Sequence, residues 1–270
     1  MSDFTDTDLQ SRQDIMAELA QAARMITLPL FAQDMAVTNK AKAGYDPVTQ
    51  ADVDAERALR ALITAHFPDD AIEGEELPDI AGINDWLWTL DPIDGTRAFV
   101  AGIPVWSTLI AVSYKGAPVL GLIDVAAQDK QFWGAPHKAW LKQAGEVTPI
   151  STRECETLQD AILGCTEPLA MLRPGELAAY NIIRCGIRFS RLGLDAYGYA
   201  MVAQGRMDII IEAQLKPCDV RALMPVIEGA GGKLTNWYGG SAVDGGRVVA
   251  VGDARLLPEL YTYLGRAMDD

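Results

Sequence analysis

A layered α/β or α+β architecture in two subdomains is predicted, because helix-period and strand-period segments are interleaved along the whole chain. The length of 270 residues agrees, since about 150 residues per domain allows one large or two coupled units with a substantial core. Composition agrees as well: 49% apolar and 22% charged residues suit an ordinary globular chain rather than a disordered or disulfide-stapled one. The subdomains are expected to span approximately residues 1–150 and 151–270, with no internal repeat or low-complexity linker between them.

Between Asp8 and Met35, Leu9, Ile15, Met16, Leu19, Ala22, Ala23 and Ile26 recur near helical spacing until Pro29 interrupts, so one or two helices open the chain. Thr49 is the expected N-cap of a helix from Gln50 to about His66, with Ala55, Leu59, Leu62 and Ile63 inward and Pro68-Asp69-Asp70 ending it. Gly74-Glu75-Glu76 reads, in isolation, as a solvated loop. Trp86–Leu90 is a short aromatic strand running into Asp91, and Trp106–Tyr114 with Pro118–Val125 forms a hairpin around Lys115-Gly116-Ala117. Gln131–Gly134 and Ala139–Lys142 add short strands.

After Ser151 the expected order is strand Ala161–Gly164, helix Gly175–Arg184, strand Ile187–Phe189, helix Asp195–Gln204, strand Met207–Glu212 and helix Asp219–Gly229. Strands near Lys233–Thr235 and Val248–Val251 and a helix from Ala254 complete the chain.

The charge pattern excludes several functions. With 37 acids against 23 bases the net charge is −14, so a basic face for nucleic acid or anionic lipid is not expected. The longest apolar stretch, Ala101–Val112, is broken by Pro104, Ser107 and Thr108, and no membrane span is expected. The polar, acidic start Met1–Asp8 lacks the basic and apolar regions of a signal peptide, so the expected location is the cytoplasm. Cys155, Cys165, Cys185 and Cys218 form no C-x-x-C pair and read as reduced thiols. His66 and His137 have no nucleophile or ligand motif beside them, which leaves carboxylates and hard cations to carry the chemistry.

Three segments supply those carboxylates: Ile72-Glu73-Gly74-Glu75-Glu76, Asp91-Pro92-Ile93-Asp94-Gly95-Thr96, and Lys216-Pro217-Cys218-Asp219 before a helix ending Glu228-Gly-Ala-Gly-Gly232. Each alone is explicable as a loop, a turn or a helix cap. Asp91 at the mouth of a strand and Asp94 across a proline-stiffened turn can face one point, with the Ile93 carbonyl as a third oxygen. If Glu75 and Asp219 converge there, each carboxylate pair about 5 Å apart repels by roughly 3 kcal/mol at an effective dielectric of about 20. Several such terms rival a domain's stability of about 5–15 kcal/mol unless dications or protonation relieve them. Magnesium suits an oxygen-only donor set. Gly95-Thr96-Arg97 reads as the opening of a short helix whose unpaired N–H groups can hold phosphate. A cation cradle beside an anion site points to phosphoryl transfer to water, which Glu75 and the Thr96 hydroxyl can orient and deprotonate.

These motifs resemble the inositol monophosphatase-like family of magnesium-dependent, lithium-sensitive phosphatases. Asp46-Pro-Val-Thr-Gln-Ala-Asp52, Gly74-Glu75-Glu76, Asp91-Pro-Ile-Asp-Gly-Thr96 and Asp219 followed by Gly229-Ala-Gly-Gly232 occur in the family's order over most of the chain. The resemblance implies a layered αβαβα sandwich of the inositol monophosphatase and fructose-1,6-bisphosphatase type, an α+β fold, and commonly a homodimer. It implies metal ligands Glu75, Asp91, the Ile93 carbonyl, Asp94 and Asp219, holding two to three Mg2+ ions. Glu75, Thr96 and Asp94 become the catalytic residues, Gly95 and Thr96 phosphate contacts, and Asp52 with Lys42 an outer pair.

Within the family, Gly95-Thr-Arg-Ala-Phe99-Val-Ala-Gly102-Ile-Pro104-Val-Trp106-Ser-Thr108, Leu215-Lys-Pro217, Ala222-Leu-Met-Pro225 and Thr235-Asn-Trp237 are similar to the histidinol-phosphate phosphatase branch. Cys218 stands where that branch usually has an aromatic, Asn236 where it has an acid, and Ser190–Asp195 replaces a more glycine-rich turn. Histidinol phosphate carries an ammonium and an imidazole beyond its phosphate, so acids are expected there: Asp195 and Glu212, with Gly193 and Asp219 also expected at the substrate. An inositol or other sugar monophosphate is the alternative, and a nucleotide 3′-phosphate is disfavoured by the lack of a basic cluster. A cation- and phosphate-binding protein without turnover would be expected to lack Glu75 or Thr96, and both are present.

Overall fold

The computed structural model describes residues 4–31, 33, 38–39 and 47–265. Asp46 and Lys42 of the sequence motifs, and Met35, lie outside them. Among the described residues, no helix is long and apolar enough to cross a membrane.

The first helix, α1 (Asp6–Leu30), is continuous and carries Pro29 in its last turn; Thr5 and Asp8 close a capping box at its start. Two short strands, β1 (Thr38–Asn39) and β2 (Pro47–Val48), pair antiparallel before α2 (Gln50–His66). Thr49 caps α2 as the sequence indicates, with Asp52 completing the box. There follow β3 (Ala71–Gly74), β4 (Trp86–Asp94), α3 (Thr96–Val100), β5 (Ser107–Tyr114), β6 (Ala117–Val125), β7 (Lys130–Ala135), β8 (Lys138–Gln143) and β9 (Glu146–Pro149). Strands β3 to β9 form a seven-stranded sheet in sequence order, antiparallel except for the β3–β4 pair.

The second sheet has five strands in the order β11-β10-β12-β14-β13, from β10 (Ile162–Cys165), β11 (Phe189–Leu192), β12 (Ile209–Leu215), β13 (Lys233–Asn236) and β14 (Gly246–Val251). Its helices are α4 (Pro168–Met171), α5 (Pro174–Gly186), α6 (Ala196–Ala203), α7 (Pro217–Arg221), α8 (Leu223–Gly229) and α9 (Leu257–Leu264).

Strand alternation sorts the core into layers. Trp88, Leu90, Ile110, Val112, Leu120 and Leu122 face α1 and α2, whereas Leu109, Ala111, Ile123 and Phe132 face α6 and α8. In β12, Ile210 faces the same central helices, and Ile209, Ile211 and Ala213 face α5 and α9. The order is helix, sheet, helix, sheet, helix: the αβαβα sandwich that the family resemblance implies.

Several elements differ from the sequence expectation. Ala71–Gly74 forms β3, a strand not expected from the sequence, whose last residue, Gly74, reads there as loop: it is a short edge strand with one buried apolar residue, too brief for a period to register. β4 runs on to Asp94 because its ladder with β5 continues across an irregularity between Asp91 and Asp94. β11 begins at Phe189 rather than Ile187. The helix expected over Asp219–Gly229 is two helices: Pro225 has no N–H for the carbonyl one turn earlier, and the chain re-initiates at Leu223. β9, with every residue exposed, and the four-residue α4 gave no sequence signal.

One buried charge cluster pins the helical outer layer to the sheet. Asp70, 3% exposed, accepts from Arg12 Nε (3.0 Å) and Nη2 (2.9 Å), Asn84 Nδ2 (2.8 Å) and Trp88 Nε1 (2.9 Å). Removing one partner of such a pair leaves a buried charge uncompensated, a loss of about 3–5 kcal/mol. Asp70→Ala is therefore expected to destabilise the protein by that amount in urea unfolding; a change below about 1 kcal/mol would refute the cluster's role.

Candidate active site

The cleft forms where β4 and β12 end and α3, α6 and α7 begin. Because Trp88 and Leu90 point into the outer helical layer, alternation turns Thr89 and Asp91 to the opposite face. Asp91 is 2% exposed, and its Oδ1 accepts from Ile93 N (3.1 Å), a local turn that Pro92 stiffens. Gly95 takes φ of 78°, a conformation that favours glycine, and admits the chain to α3. The Thr96 hydroxyl donates to the Ile93 carbonyl (3.0 Å) and lies 3.5 Å from Asp52 Oδ1. Asp52 is itself buried and holds Thr49 through N (2.8 Å) and Oγ1 (2.6 Å).

This turn delivers Asp94 to the start of α6. Its Oδ2 accepts from Ala196 N (2.8 Å), the first residue of α6, and from Ser107 Oγ (3.3 Å). Asp195 precedes α6 but makes no side-chain capping hydrogen bond, and the first N–H of the helix, that of Ala196, goes to Asp94. A Cβ built on Gly95 would lie 3.1 Å from Asp195 Oδ2, so this carboxylate borders the start of α3. Glu212, buried on β12, accepts from Thr166 N (2.7 Å) and Tyr199 Oη (2.8 Å), which gives it the partners of a buried acceptor.

Asp219 is the third residue of α7 and accepts from Lys216 N (2.7 Å); Cys218 Sγ is 3.5 Å from its Oδ1. Glu75, just past β3, receives Lys216 Nζ on Oε1 (2.9 Å). Glu75, Asp91, Ile93, Asp94, Gly95, Thr96, Asp195, Glu212 and Asp219 thus line one cleft of about 370 Å³. Gly193 does not: it lies exposed on the β11–α6 turn, its N–H donating to Thr166 O (2.9 Å). The cleft also includes Glu167, Met171 and Gln214, none of which sequence reasoning singled out. Gln214 Nε2 donates to Met171 O (2.6 Å) and ties α4 to β12; no spacing rule announces such a contact.

The electrostatics follow from crowding. Burial, then Glu75, Asp94 and Asp219, hold the Asp91 carboxyl well above the usual carboxylate range, and burial with Asp195 and Asp219 does the same to Asp94. Burial pushes Asp219 and Asp195 up to about 6 and Glu212 to about 7. It also raises Asp52 and keeps the Cys218 thiol protonated. Oxygen donors that resist ionisation together fit a hard dication, whose charge inverts the local preference.

Known proteins bear on this geometry. The model of the inositol monophosphatase family matches residues 8–268. The chloroplastic bifunctional phosphatase IMPL2 of Arabidopsis thaliana is 40% identical over 88% of this chain and 68% of its own length. A histidinol-phosphatase of Chlorobaculum parvum is 32% identical over 88% of this chain and 90% of its own. Among solved structures, an inositol monophosphatase from Zymomonas mobilis is 36% identical with a TM-score of 0.81, covering 94% of this chain and 98% of its own.

The raised carboxyls hold protons more tightly in the folded chain than in the unfolded one. Their stabilising contribution is therefore full below about pH 4 and is lost as pH rises through about 6 for Asp195 and Asp219 and about 7 for Glu212. In chelator-treated protein, Tm is expected to fall between about pH 5 and pH 8, and Mg2+ is expected to restore it more at pH 8 than at pH 5. A Tm insensitive to Mg2+ at the higher pH would remove the electrostatic basis of the site.

Proposed function

The chain belongs to the inositol monophosphatase family, and from that premise we propose that it is a Mg2+-dependent phosphomonoesterase that hydrolyses L-histidinol phosphate to L-histidinol and phosphate. The family is metal-dependent, and the donor set of this cleft fits such a cation. Glu75, Asp91, the Ile93 carbonyl, Asp94 and Asp219 would hold Mg2+. When bound, the cation supplies charge neutralisation for the phosphate oxygens and leaving alkoxide and acidifies water.

The chain's own groups supply the rest. The first N–H groups of α3, at Gly95 and Thr96, lack carbonyl partners one turn earlier and hold phosphate oxygens. Glu75 and the Thr96 hydroxyl orient the attacking water and take its proton, with Asp52 behind Thr96.

The substrate assignment rests on one observation, the Asp195 carboxylate bordering Gly95. In histidinol phosphate the ammonium sits on the second carbon from the ester oxygen. A phosphate held at Gly95 and Thr96 then brings that ammonium beside Asp195. Similarity to histidinol-phosphatases over most of the chain supports the same reading. The alternative substrate, inositol 1-phosphate, is favoured by the likeness to the Zymomonas mobilis enzyme and by Glu212, an acid that can also bind sugar hydroxyls.

Glu75→Gln and Asp94→Asn are each expected to lower kcat by at least about a hundredfold with far-ultraviolet circular dichroism unchanged, and chelation to abolish phosphate release until Mg2+ is restored. Near-normal rates in either variant would reject the assignment. Asp195→Asn is expected to cost kcat/KM for histidinol phosphate about 10- to 150-fold, the worth of a charge-assisted hydrogen bond. Inositol 1-phosphate and a simple alkyl phosphate should change little. Equal losses on all three esters would remove the ammonium contact, and preference of the unmodified enzyme for inositol 1-phosphate would favour the alternative.

A further inference from the structure

A thiol stands among the carboxylates of the cleft. One donor atom each from Glu75, Asp91 and Cys218 lie within 4.8 Å of one another. Cys218 is 8% exposed, and its sulfur is 3.5 Å from Asp219 Oδ1. Asp91 is 2% exposed, and its Oδ1 accepts the Ile93 N–H. Two carboxylates and a buried sulfur gathered at one point form a donor arrangement suited to a cation.

We propose that Cys218, with Glu75 and Asp91, forms a mixed sulfur–oxygen site for a thiophilic dication of the Zn2+ or Cd2+ class, which competes with Mg2+ for the same cleft. The proposal rests on the placement of a cation at Glu75 and Asp91 and adds a donor to it. Ligand softness gives the selectivity: carboxylates alone suit Mg2+, whereas one thiolate shifts preference toward Zn2+ and Cd2+. Zn–S distances of about 2.3 Å and Zn–O distances of about 2.0–2.2 Å put tetrahedral donors about 3.6 Å apart, so the three groups close by about 1 Å at most. Binding forms the metal–sulfur bond, breaks the S–H bond and releases the proton to solvent, with no change in oxidation state. The Lys216 ammonium on Glu75, on a side chain 51% exposed, swings outward as the dication takes its place.

The test is titration of the chelator-treated full chain with Cd2+, reading the near-ultraviolet thiolate-to-cadmium charge-transfer band and Tm together. The expected result is a band of one thiolate per chain that is lost in both Cys218→Ser and Cys218→Ala, with Cd2+ affinity lowered at least about tenfold. In Asp91→Asn the band should require at least about tenfold more Cd2+, and Mg2+ should suppress it in the unmodified chain. Cys155, Cys165 and Cys185 persist in every variant and serve as internal controls. If Cd2+ and Mg2+ raise Tm but no band depends on Cys218, the sulfur is not a donor and the inference alone fails. If neither cation raises Tm in a manner that Asp91→Asn removes, the cation placement fails and the inference with it.

Discussion

The Arg221 guanidinium holds the two halves of the cleft at their working distance. It bonds to the carboxylate of Glu73 and to Thr89 Oγ1 (3.1 Å), while its Nε donates to Val243 O (3.2 Å). Glu73 is two residues before Glu75, Thr89 two before Asp91, and Arg221 two after Asp219. Thr89 and Asp91 share a strand face, whereas Asp219 and Arg221 lie about 200° apart on α7. One cation can therefore grip the sheet while Asp219 reaches into the cleft, its positive charge offsetting part of the repulsion that the gathered acids create.

Sterics set the depth of that grip. A Cβ on Gly121 would meet Ala222 O at 2.1 Å, and one on Gly134 would meet the Pro225 carbonyl carbon at 2.1 Å. The junction between α7 and α8 thus lies directly on the backbone of β6 and β7. A side chain at either glycine would lift the junction and carry Asp219 away from Asp91. The break that Pro225 imposes belongs to the same arrangement, since it ends α7 where the chain must bend onto the sheet.

Much of this was legible in the sequence because the signals are local. Thr49 caps α2 through its own hydroxyl, the turn at Asp91–Thr96 is written by Pro92 and Gly95, and core positions in β4 to β7 alternate with period two. Family resemblance supplied the layer order, which no local pattern contains. Illegible features were those made by contacts distant in sequence: β3 exists because β4 offers it a ladder, and Gln214 matters because α4 lies beside it. Gly193 marks the opposite limit. Its positive φ of 73° was readable as a turn, yet turn geometry alone does not say which side faces the cleft.

Asp94 and Asp195 show how the proposed cation site and the proposed substrate contact are mechanically linked. Asp195 adopts φ 48° and ψ −144°, a backbone conformation costly for a residue with a side chain, of order 1–3 kcal/mol. Two contacts hold it there: its N–H donates to Thr166 Oγ1 (3.2 Å), and the next N–H, of Ala196, donates to Asp94. By gripping the amide directly after Asp195, Asp94 helps fix the backbone from which the neighbouring acid borders Gly95. A group proposed to hold a cation thereby also positions a group proposed to recognise substrate, and a change at either propagates to the other through a single backbone amide.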